Sequence, residues 1–331
     1  MTLKYIAELC QNHLGKFENI EKMVEECAYN GAKIIKLQYI LAKNLSYRPV
    51  FDHGLNDGNN KLFIKRPYIA EYKRLKKLEL KDKEIKKFVK ICERNNVEPA
   101  ITCFARENID ILKDLGFKTI KVASYDCGSF QLIREISDKF KNLIISTGAT
   151  FDDEIEKTFG ILKKKKINFS FLHCVTIYPT AFKHLHLSRI DFLKKYTKNI
   201  GYSDHSRATD KKKNLASMAA IYYGAKIIER HIRILGTDDS KDGPVSIEPK
   251  EIAEVVKFSK LNKIEQKKFL IQSGLNLNLI KGKKVRQLSF EELLNRDYYR
   301  GRFASFSKKN KRQIFNWDET DLWLNFMNRV K

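Results

Sequence analysis

The sequence predicts an α/β fold, a closed (β/α)8 TIM barrel with a short C-terminal appendage. Eight short apolar or β-branched runs recur over residues 1–231, and amphipathic stretches lie between most of them. Strands that alternate with helices form parallel βαβ units, and eight units in roughly 250 residues are typical of a closed barrel. A doubly wound open sheet is the alternative, but no glycine-rich nucleotide fingerprint follows the first run.

Each predicted strand corresponds to one run of the sequence. In chain order the runs are Tyr5–Leu9, Lys33–Leu37, Pro99–Phe104, Thr119–Ala123, Leu143–Ser146, Phe169–Val175, Asn199–Tyr202 and Lys226–Glu229. The connecting segments 19–32 and 82–96 carry apolar residues at positions i, i+3 and i+4, which indicates helices with one buried face. The second connection, from Ile40 to about Leu80, is much longer, and loops of this length are typically active-site lids or disordered.

The barrel pattern ends near residue 260. We therefore assign residues 1–260 to the barrel and residues 261–331 to a C-terminal extension, which packs on the barrel or on a second subunit. The extension alternates short helical segments with basic runs such as KGKK and KKNKR.

The chain is strongly basic. Its 64 lysines and arginines against 40 aspartates and glutamates give a formal charge of +24. Such an excess fits nucleic-acid binding, an anionic membrane surface or an acidic small-molecule substrate. The basic runs are dispersed and interleaved with apolar residues at helical spacing, and no zinc-finger or RNA-recognition signature accompanies them. Most of the charge is therefore predicted to be solvated lysine, with no nucleic-acid or membrane partner.

The sequence also indicates a cytoplasmic protein. No window approaches about 18 consecutive apolar residues, and the N-terminus lacks the apolar run of a signal peptide. The six cysteines form no C-x-x-C pair, which argues against a structural zinc site and for reduced thiols.

Polar residues cluster where the predicted strands end, which is where barrel enzymes carry their active sites. In strand order they are Glu8, Gln11, Asn12 and His13; Lys36 and Gln38; Thr102; Lys121, Ser124 and Asp126; Ser146 and Thr147; Thr176 and Tyr178; Ser203, Asp204 and His205; and Glu229, Arg230 and His231. Because charged groups inside apolar runs are costly without partners, Lys36 and Lys121 indicate an anionic ligand. With the nearby hydroxyls they could hold a phosphate and a carboxylate.

His205 and His231 lie at equivalent ends of neighbouring predicted strands, so both imidazoles could reach one ion. Two imidazoles with either Glu8 or Asp242 and open water positions would suit a catalytic Mn²⁺ or Mg²⁺. The sequence leaves the choice of carboxylate open.

In nine motifs the sequence resembles the sialic acid (N-acetylneuraminate) synthase family, the phosphoenolpyruvate-dependent synthases of nonulosonic acids. The motifs are AELCQNHLGKFE (7–18), AKIIKLQ (32–38), KKLELKDKEI (76–85), TIKVASYD (119–126), ISTGAT (145–150), LHCVTIYPT (172–180), IGYSDHS (200–206), GAKIIERH (224–231) and DGPVSIEP (242–249). They follow the family's order and spacing. The resemblance implies a homodimeric barrel enzyme that joins phosphoenolpyruvate to an N-acylated amino-hexose aldehyde and releases phosphate.

The resemblance also implies roles for individual residues. The phosphoenolpyruvate-binding positions are matched by Lys36, Thr102, Lys121, Ser124, Ser146, Thr176 and Ser203. The metal ligands are matched by His205 and His231, the positions around the sugar by Gln38, Asp126, Tyr178 and Asp242, and a carboxylate beside the reacting centre by Glu8. Either Glu8 or Asp126 could orient or deprotonate the attacking water.

Some positions depart from the family's pattern. Asp126 and Thr176 stand where the family usually has Glu and Asn, and the C-terminal extension is shorter than the family's antifreeze-like domain. In the family an arginine of that domain contacts the sugar's N-acyl group, and Arg300 and Arg302 are the candidates here. The acceptor could therefore be N-acetylmannosamine or a dideoxy or diacetamido hexose.

Two other functions fit parts of the sequence. One is condensation of phosphoenolpyruvate with a sugar phosphate, as in 3-deoxy-aldulosonate phosphate synthases, with Lys65 and Arg66 of the long connection binding the acceptor phosphate. The other is a non-catalytic basic barrel that binds nucleic acid, which predicts that the polar constellation has decayed. The lysines and histidines of this constellation are all present in the sequence, which argues against such decay.

Overall fold

The apolar runs form parallel strands that pair in sequence order and close into a barrel, as expected. The computed structural model describes residues 3–58, 60–209, 212–307 and 311–318. The barrel strands are β1 Lys4–Cys10, β2 Ile34–Tyr39, β3 Glu98–Cys103, β4 Thr119–Val122, β5 Asn142–Ser146, β6 Asn168–His173, β7 Ile200–Asp204 and β8 Ile227–Ile232. Because β1 pairs with both β2 and β8, the sheet has no open edge there. A short strand, Ser246–Ile247, pairs with the end of β8.

Helices follow the strands and cover the outside of the barrel. They are α1 Phe17–Tyr29, α2 Asp82–Arg94, α3 Ile109–Asp114, α4 Phe130–Lys139, α5 Asp152–Lys164, α6 Arg189–Leu193, α7 Leu215–Tyr222 and α8 Ile252–Ser259. In α2 the apolar residues Ile85, Phe88, Val89 and Cys92 are buried, and the lysines between them face water. The amphipathic pattern thus explains how the helix lies on the barrel.

The inside of the barrel is arranged in two layers. An apolar cluster of Ile6, Ile34, Ala100, Ile144, Leu172 and Ile227 fills the lower part. Since side chains of a strand alternate between its faces, the residue two positions further along each of these strands also points inward. Those residues are Glu8, Lys36, Thr102, Ser146, Cys174 and Glu229. The apolar layer therefore supports a polar layer directly above it.

Gly201 of β7 is required by close packing in the apolar layer. A Cβ at this position would lie 2.3 Å from Leu172 Cδ2 and 2.6 Å from the Ile227 carbonyl oxygen. Without a side chain at this position, the neighbouring strands can pack Leu172 and Ile227 across the barrel axis.

The long second connection is structured. It contains the helices Pro49–His53 and Tyr68–Lys76 and the hairpin strands Leu55–Asp57 and Asn60–Phe63. The C-terminal extension contains the helices Lys263–Gln272, Leu277–Lys281 and Phe290–Tyr299 and a hairpin of Ala304–Ser307 with Arg312–Phe315. Residues 308–310 and 319–331 of the predicted extension lie outside the described residues.

The extension packs on the barrel of its own chain. Ser46 of the long connection donates its backbone N–H to the Arg302 carbonyl oxygen (2.9 Å). The rings of Phe51 and Tyr298 meet edge to face at 5.3 Å, and Asn295 Nδ2 donates to the Thr176 carbonyl oxygen at 2.7 Å. The connection and the extension therefore form a joint cover over the ends of the strands. Within the described residues, no helix has the length and apolar character needed to cross a membrane.

Candidate active site

The polar layer forms the lower part of a cavity, which we call the inner cavity, with a volume of about 90 Å³. Its predicted residues are Glu8, Lys36, Gln38, Thr102, Lys121, Ser124, Ser146, Tyr178, Ser203, His205 and His231, joined by Phe104, Ala123, Tyr125, Cys174 and Glu229. The strand-end residues of separate motifs thus meet in one place, as parallel strands require.

Lys36 is held by the first and third strands. Its Nζ contacts Glu8 Oε2 and donates to Thr102 Oγ1 at 3.0 Å. The other oxygen of Glu8 accepts the Cys10 backbone N–H at 2.7 Å and Gln38 Nε2 at 3.3 Å. A buried carboxylate thus receives both an ion pair and neutral donors, which is how such a charge is tolerated.

Lys121 forms the second buried pair. Its Nζ donates to Ser146 Oγ at 2.7 Å and to Glu229 Oε1 at 3.2 Å, and Ser203 Oγ donates to the same Glu229 oxygen at 2.9 Å. The sequence analysis placed Glu229 among the strand-end polar residues but assigned it no role in the site. The signal was present, since Glu229 stands two residues before His231 on one strand and so points to the same face.

Burial and the neighbouring charges shift the pKa values of the ionisable residues in this layer. Burial lowers the pKa of Lys36 to about 7, with Glu229 opposing the change and Lys121 adding to it. Burial alone would raise the pKa of Glu229, but the ammonium groups of Lys121 and Lys36 hold it at about 2. The layer therefore contains a firmly ionised carboxylate and an amine that can lose its proton near neutrality.

The two predicted metal-binding histidines lie side by side, with ring centroids 5.4 Å apart. His205 Nδ1 lies 3.1 Å from the Val175 carbonyl oxygen, to which it can only donate, so Nε2 keeps its lone pair. His231 Nδ1 is buried without a hydrogen-bond partner. Burial lowers the pKa of His205 to about 4 and that of His231 well below its usual range. Neutral imidazoles with available lone pairs are the form that binds divalent cations.

A second donor group overlaps this pair. One potential ligand atom each of Cys10, His231 and Asp242 lies within 4.8 Å of the others. Of the two carboxylates considered from the sequence, Asp242 is therefore near His231, while Glu8 is occupied by Lys36. Cys10 was not expected in this role, because its position was interpreted only as part of an apolar strand.

Three of the residues with a predicted role in substrate binding, metal binding or catalysis do not line the inner cavity. Asp126 Oδ1 accepts Ser129 Oγ at 2.8 Å and Asn316 Nδ2 at 3.1 Å, and burial raises its pKa to about 6 against these two hydrogen bonds. Thr176 Oγ1 is buried without a partner, behind Gly148. The third, Asp242, lines a neighbouring cavity instead.

That neighbouring outer cavity has a volume of about 320 Å³ and lies beyond the strand ends. It shares Gln38, Phe104, Tyr125, Tyr178 and His231 with the inner cavity, and its other residues are Gln11, Arg66, Arg74, Lys241, Asp242, Glu291, Asn295, Tyr299 and Arg302. Of the four residues predicted around the sugar, Gln38, Tyr178 and Asp242 line this space, and Asp126 does not. The other lining residues include Arg74 and Asn295, which lie on helices of the long connection and of the extension, and Gln11, Lys241 and Arg302, which lie between helices and strands.

The basic residues predicted around the acceptor separate in the structure. Arg302 and Arg66 line the outer cavity. Arg300 does not, since its guanidinium donates to Glu154 at 3.1 Å and lies over the Trp317 ring at 5.3 Å. Lys65 is exposed and lines a different surface depression with Arg66.

Comparison with known proteins places the chain in a family. The family model described as the NeuB family matches residues 23–268, which is most of the chain. The chain belongs to the NeuB family. This confirms the predicted family and, with the barrel, the prediction of a phosphoenolpyruvate-dependent synthase that forms a carbon–carbon bond.

Individual relatives agree with this assignment. The chain is 31% identical over 251 residues to N,N'-diacetyllegionaminic acid synthase of Campylobacter jejuni, covering 75% of this chain and 72% of the relative. It is 28% identical over 258 residues to N-acetylneuraminate-9-phosphate synthase of Drosophila melanogaster, covering 75% and 64%. The crystal structure of N-acetylneuraminic acid synthetase from Leptospira borgpetersenii, in complex with citrate, has a TM-score of 0.67 at 29% identity and covers 88% of this chain and 90% of that one.

Proposed function

We propose that this NeuB-family enzyme condenses phosphoenolpyruvate with an N-acylated amino-hexose aldehyde to give a nonulosonic 2-keto acid and phosphate. The single observation that carries the proposal is the shared boundary of the two cavities. Gln38, Tyr178 and His231 belong to both. A small anion in the inner cavity and a sugar in the outer cavity would therefore meet at these side chains.

The inner cavity suits phosphoenolpyruvate. Lys36 and Lys121 supply positive charge, and the hydroxyls of Thr102, Ser146 and Ser203 surround them. Such donors bind phosphate and carboxylate oxygens by charge-assisted hydrogen bonds. Ser124 also lines the cavity. Thr176 matches a phosphoenolpyruvate-binding position of the family, and its hydroxyl lies next to Gly148, so we propose that it supports the binding site from there.

The reaction requires three bond changes. Carbon 3 of phosphoenolpyruvate forms a bond to the aldehyde carbon, whose oxygen takes up a proton. Water adds to carbon 2 and loses a proton, and the C–O bond to the phosphate then breaks to release inorganic phosphate. The carboxylate that orients or deprotonates the water is Glu8 in our proposal, because Glu8 lines the inner cavity and Asp126 is directed to Asn316.

We propose a divalent cation, Mn²⁺ or Mg²⁺, at His205 and His231. The buried His231 Nδ1 without a partner and the adjacent Cys10 and Asp242 donor atoms fit such an ion. When bound, it would supply Lewis-acid polarisation of the aldehyde. Gln38, Tyr178 and Asp242 would orient the sugar, and Asp126 would act at most indirectly, through Ser129 and Asn316.

The acceptor is proposed to be N-acetylmannosamine or a related deoxy or diacetamido hexose. The relatives named as legionaminic and pseudaminic acid synthases, at 31% and 30% identity, support this range. The test is phosphate release from phosphoenolpyruvate with Mn²⁺ across a panel of hexosamine aldehydes, with the Lys121→Met variant as a control. Absence of turnover with every acceptor, together with absence of phosphoenolpyruvate binding, would refute the proposal.

Two further expectations from the resemblance are kept as proposals. A homodimer is tested by sedimentation of the purified chain, and a monomer at all concentrations would contradict it. Cytoplasmic location is tested by fractionation of the cells that produce the protein.

A further inference from the structure

Three potential metal ligands meet where the first and last barrel strands end. One donor atom each of Cys10, His231 and Asp242 lies within 4.8 Å of the other two. Cys10 is the last residue of β1, His231 lies on β8, and Asp242 lies on the segment that follows β8. The ligand atoms of a single ion stand about 2.0–2.3 Å from it. A small closing movement is therefore enough to bring all three into contact with one cation.

His231 offers a coordinating atom that nothing else uses. Its Nδ1 is buried without a hydrogen-bond partner in the described part of the chain, and the residue is only 8% exposed. A polar atom left unsatisfied in a buried position is costly. A cation within reach of this nitrogen removes the cost, because a neutral imidazole carries a lone pair that can bind a metal.

Cys10 differs from the cysteines that serve only to fill the core. Cys27, Cys92, Cys103 and Cys127 belong to the main apolar cluster of the protein, as expected for thiols that pack as small hydrophobes. Cys10 is fully buried as well, but it belongs to none of the apolar clusters formed by the described residues. Burial of apolar surface therefore does not explain its position.

The backbone at Cys10 is also unusual. The pairing of β1 with β2 shifts register between Glu8 and Cys10, and the φ angle of Cys10 is +42°. Glycine adopts this left-handed conformation without strain, whereas other residues rarely do. Irregularities of this kind are common at strand ends beside functional sites, where they redirect a side chain.

Asn12 fixes the segments that carry the three donor atoms. Its Nδ2 donates to the Ile232 carbonyl oxygen at 2.6 Å and to Ser246 Oγ at 2.9 Å. Ser246 Oγ in turn donates to the Asp242 carbonyl oxygen at 2.6 Å. One amide thus connects the loop after β1, the end of β8 and the segment that follows it. Hydrogen bonds behind the ligands of a metal hold them in place in this way.

We propose that Cys10, as a thiolate, is a ligand of the divalent cation at His231, with Asp242 as the carboxylate ligand. The inference rests on the metal centre of the proposed function and specifies its chemistry. On binding, a sulfur–metal bond replaces the S–H bond, and the proton passes to solvent. A thiolate is a soft ligand that favours transition metals over Mg²⁺. The site therefore takes Mn²⁺ rather than Mg²⁺, and it binds Co²⁺ and Zn²⁺ more tightly than Mn²⁺.

Co²⁺ is the probe for this assignment, because a bound thiolate gives it a near-ultraviolet charge-transfer band that nitrogen and oxygen ligands do not. Titration of the full-length protein with Co²⁺ should produce the band, and Cys10→Ser should abolish it. The matched control is Cys27→Ser, since Cys27 is equally buried but lies in the apolar cluster, and its band should be unchanged. A wild-type protein that binds Co²⁺ without the band, or binds no Co²⁺, would overturn the proposal.

A glycine variant separates loss of the ligand from loss of the fold. Because Cys10 has a positive φ, Cys10→Gly removes the thiol and relieves the backbone, and its circular dichroism should match that of the wild type. We expect it to lack the band and to bind Co²⁺ at least tenfold more weakly. Asp242→Asn should weaken Co²⁺ binding to a similar extent and keep the band. A band in Cys10→Gly would overturn the thiolate ligand, and unchanged affinity in Asp242→Asn would overturn the carboxylate ligand.

Competition tests the selectivity of the site. Zn²⁺ should displace Co²⁺ from the wild-type protein, and Mg²⁺ at the same concentration should not. Displacement by Mg²⁺ as effective as that by Zn²⁺ would contradict a thiolate ligand.

Two assays separate this inference from the proposed function. Calorimetry measures phosphoenolpyruvate binding, and phosphate release with Mn²⁺ measures condensation. If both are observed and the Co²⁺ protein shows no band, Cys10 is not a ligand and the condensation proposal stands. If the band is present and phosphoenolpyruvate does not bind, the thiolate ligand stands and the proposed function fails.

Discussion

Arg230 and Asp204 form an ion pair with no exposed surface, between register partners of neighbouring strands. Arg230 Nη1 lies 2.5 Å from Asp204 Oδ1, and Ser217 Oγ donates to the other carboxylate oxygen at 2.6 Å. His205 and His231 each follow one member of the pair. Because side chains alternate along a strand, the pair lies outside the barrel while the histidines point into it. The pair therefore holds β7 and β8 together at the positions directly before His205 and His231.

Removing the carboxylate of this pair is expected to be strongly destabilising. Asp204→Ala leaves a buried guanidinium without its counter-charge, which should lower the free energy of unfolding by about 3–5 kcal/mol. Urea denaturation measures the loss. The matched control is Asp153→Ala, which breaks an exposed pair with Lys157 and should cost less than about 1 kcal/mol. Equal effects of the two variants would show that the buried pair is not important for stability.

Metal binding should depend on His231 more than on any other donor. His231 belongs both to the histidine pair and to the group with Cys10 and Asp242. We expect His231→Gln to weaken Mn²⁺ binding at least tenfold, measured from the signal of free Mn²⁺ in electron paramagnetic resonance. His184→Gln, outside both cavities, is the control. Comparing the Mn²⁺ affinities of His205→Gln and Cys10→Ser then identifies which residues join His231 as ligands. Unchanged Mn²⁺ affinity in His231→Gln would show that the metal does not bind at this site.

Phosphoenolpyruvate binding should take up protons at pH 8. Burial lowers the pKa of Lys36 to about 7, so above this pH its amine is largely neutral in the free protein. A bound anion favours the charged amine, and affinity should therefore fall as the pH rises above 7. Calorimetry in buffers of different ionisation enthalpy measures the uptake, which approaches one proton for the wild type. In Lys36→Arg, whose guanidinium does not titrate, the uptake should shrink, and an equal uptake would assign it to another group.

The barrel and its inner cavity could be predicted because they follow from periodic features of the sequence. Alternation along each strand placed Lys36, Lys121 and Ser146 in one layer, and strand order placed His205 beside His231. The same rule points to Glu229, which the sequence analysis placed among the strand-end polar residues without a role of its own. Asp204, from the same group of residues, faces Arg230 on the opposite side of its strand.

The outer cavity could not be predicted in the same way. Arg74, Lys241 and Arg302 are far apart in the sequence, and they lie on a helix of the long connection, on the segment after β8 and on the extension. Their meeting depends on how the long connection and the extension fold over the strand ends. Asp126 illustrates the same limit, because its motif position does not reveal that Asn316, nearly two hundred residues later, binds its carboxylate.

The position of the inner cavity below the outer one has a consequence for the sequence of kinetic events. In the proposed reaction, a sugar in the outer cavity would cover the shared residues Gln38, Tyr178 and His231 and with them the route to the lysines below. Phosphoenolpyruvate would then have to enter before the acceptor. Inorganic phosphate, released deep in the barrel, would have to leave after the condensation product. Turnover would follow a compulsory order in which the first substrate in and the last product out compete for the same free enzyme.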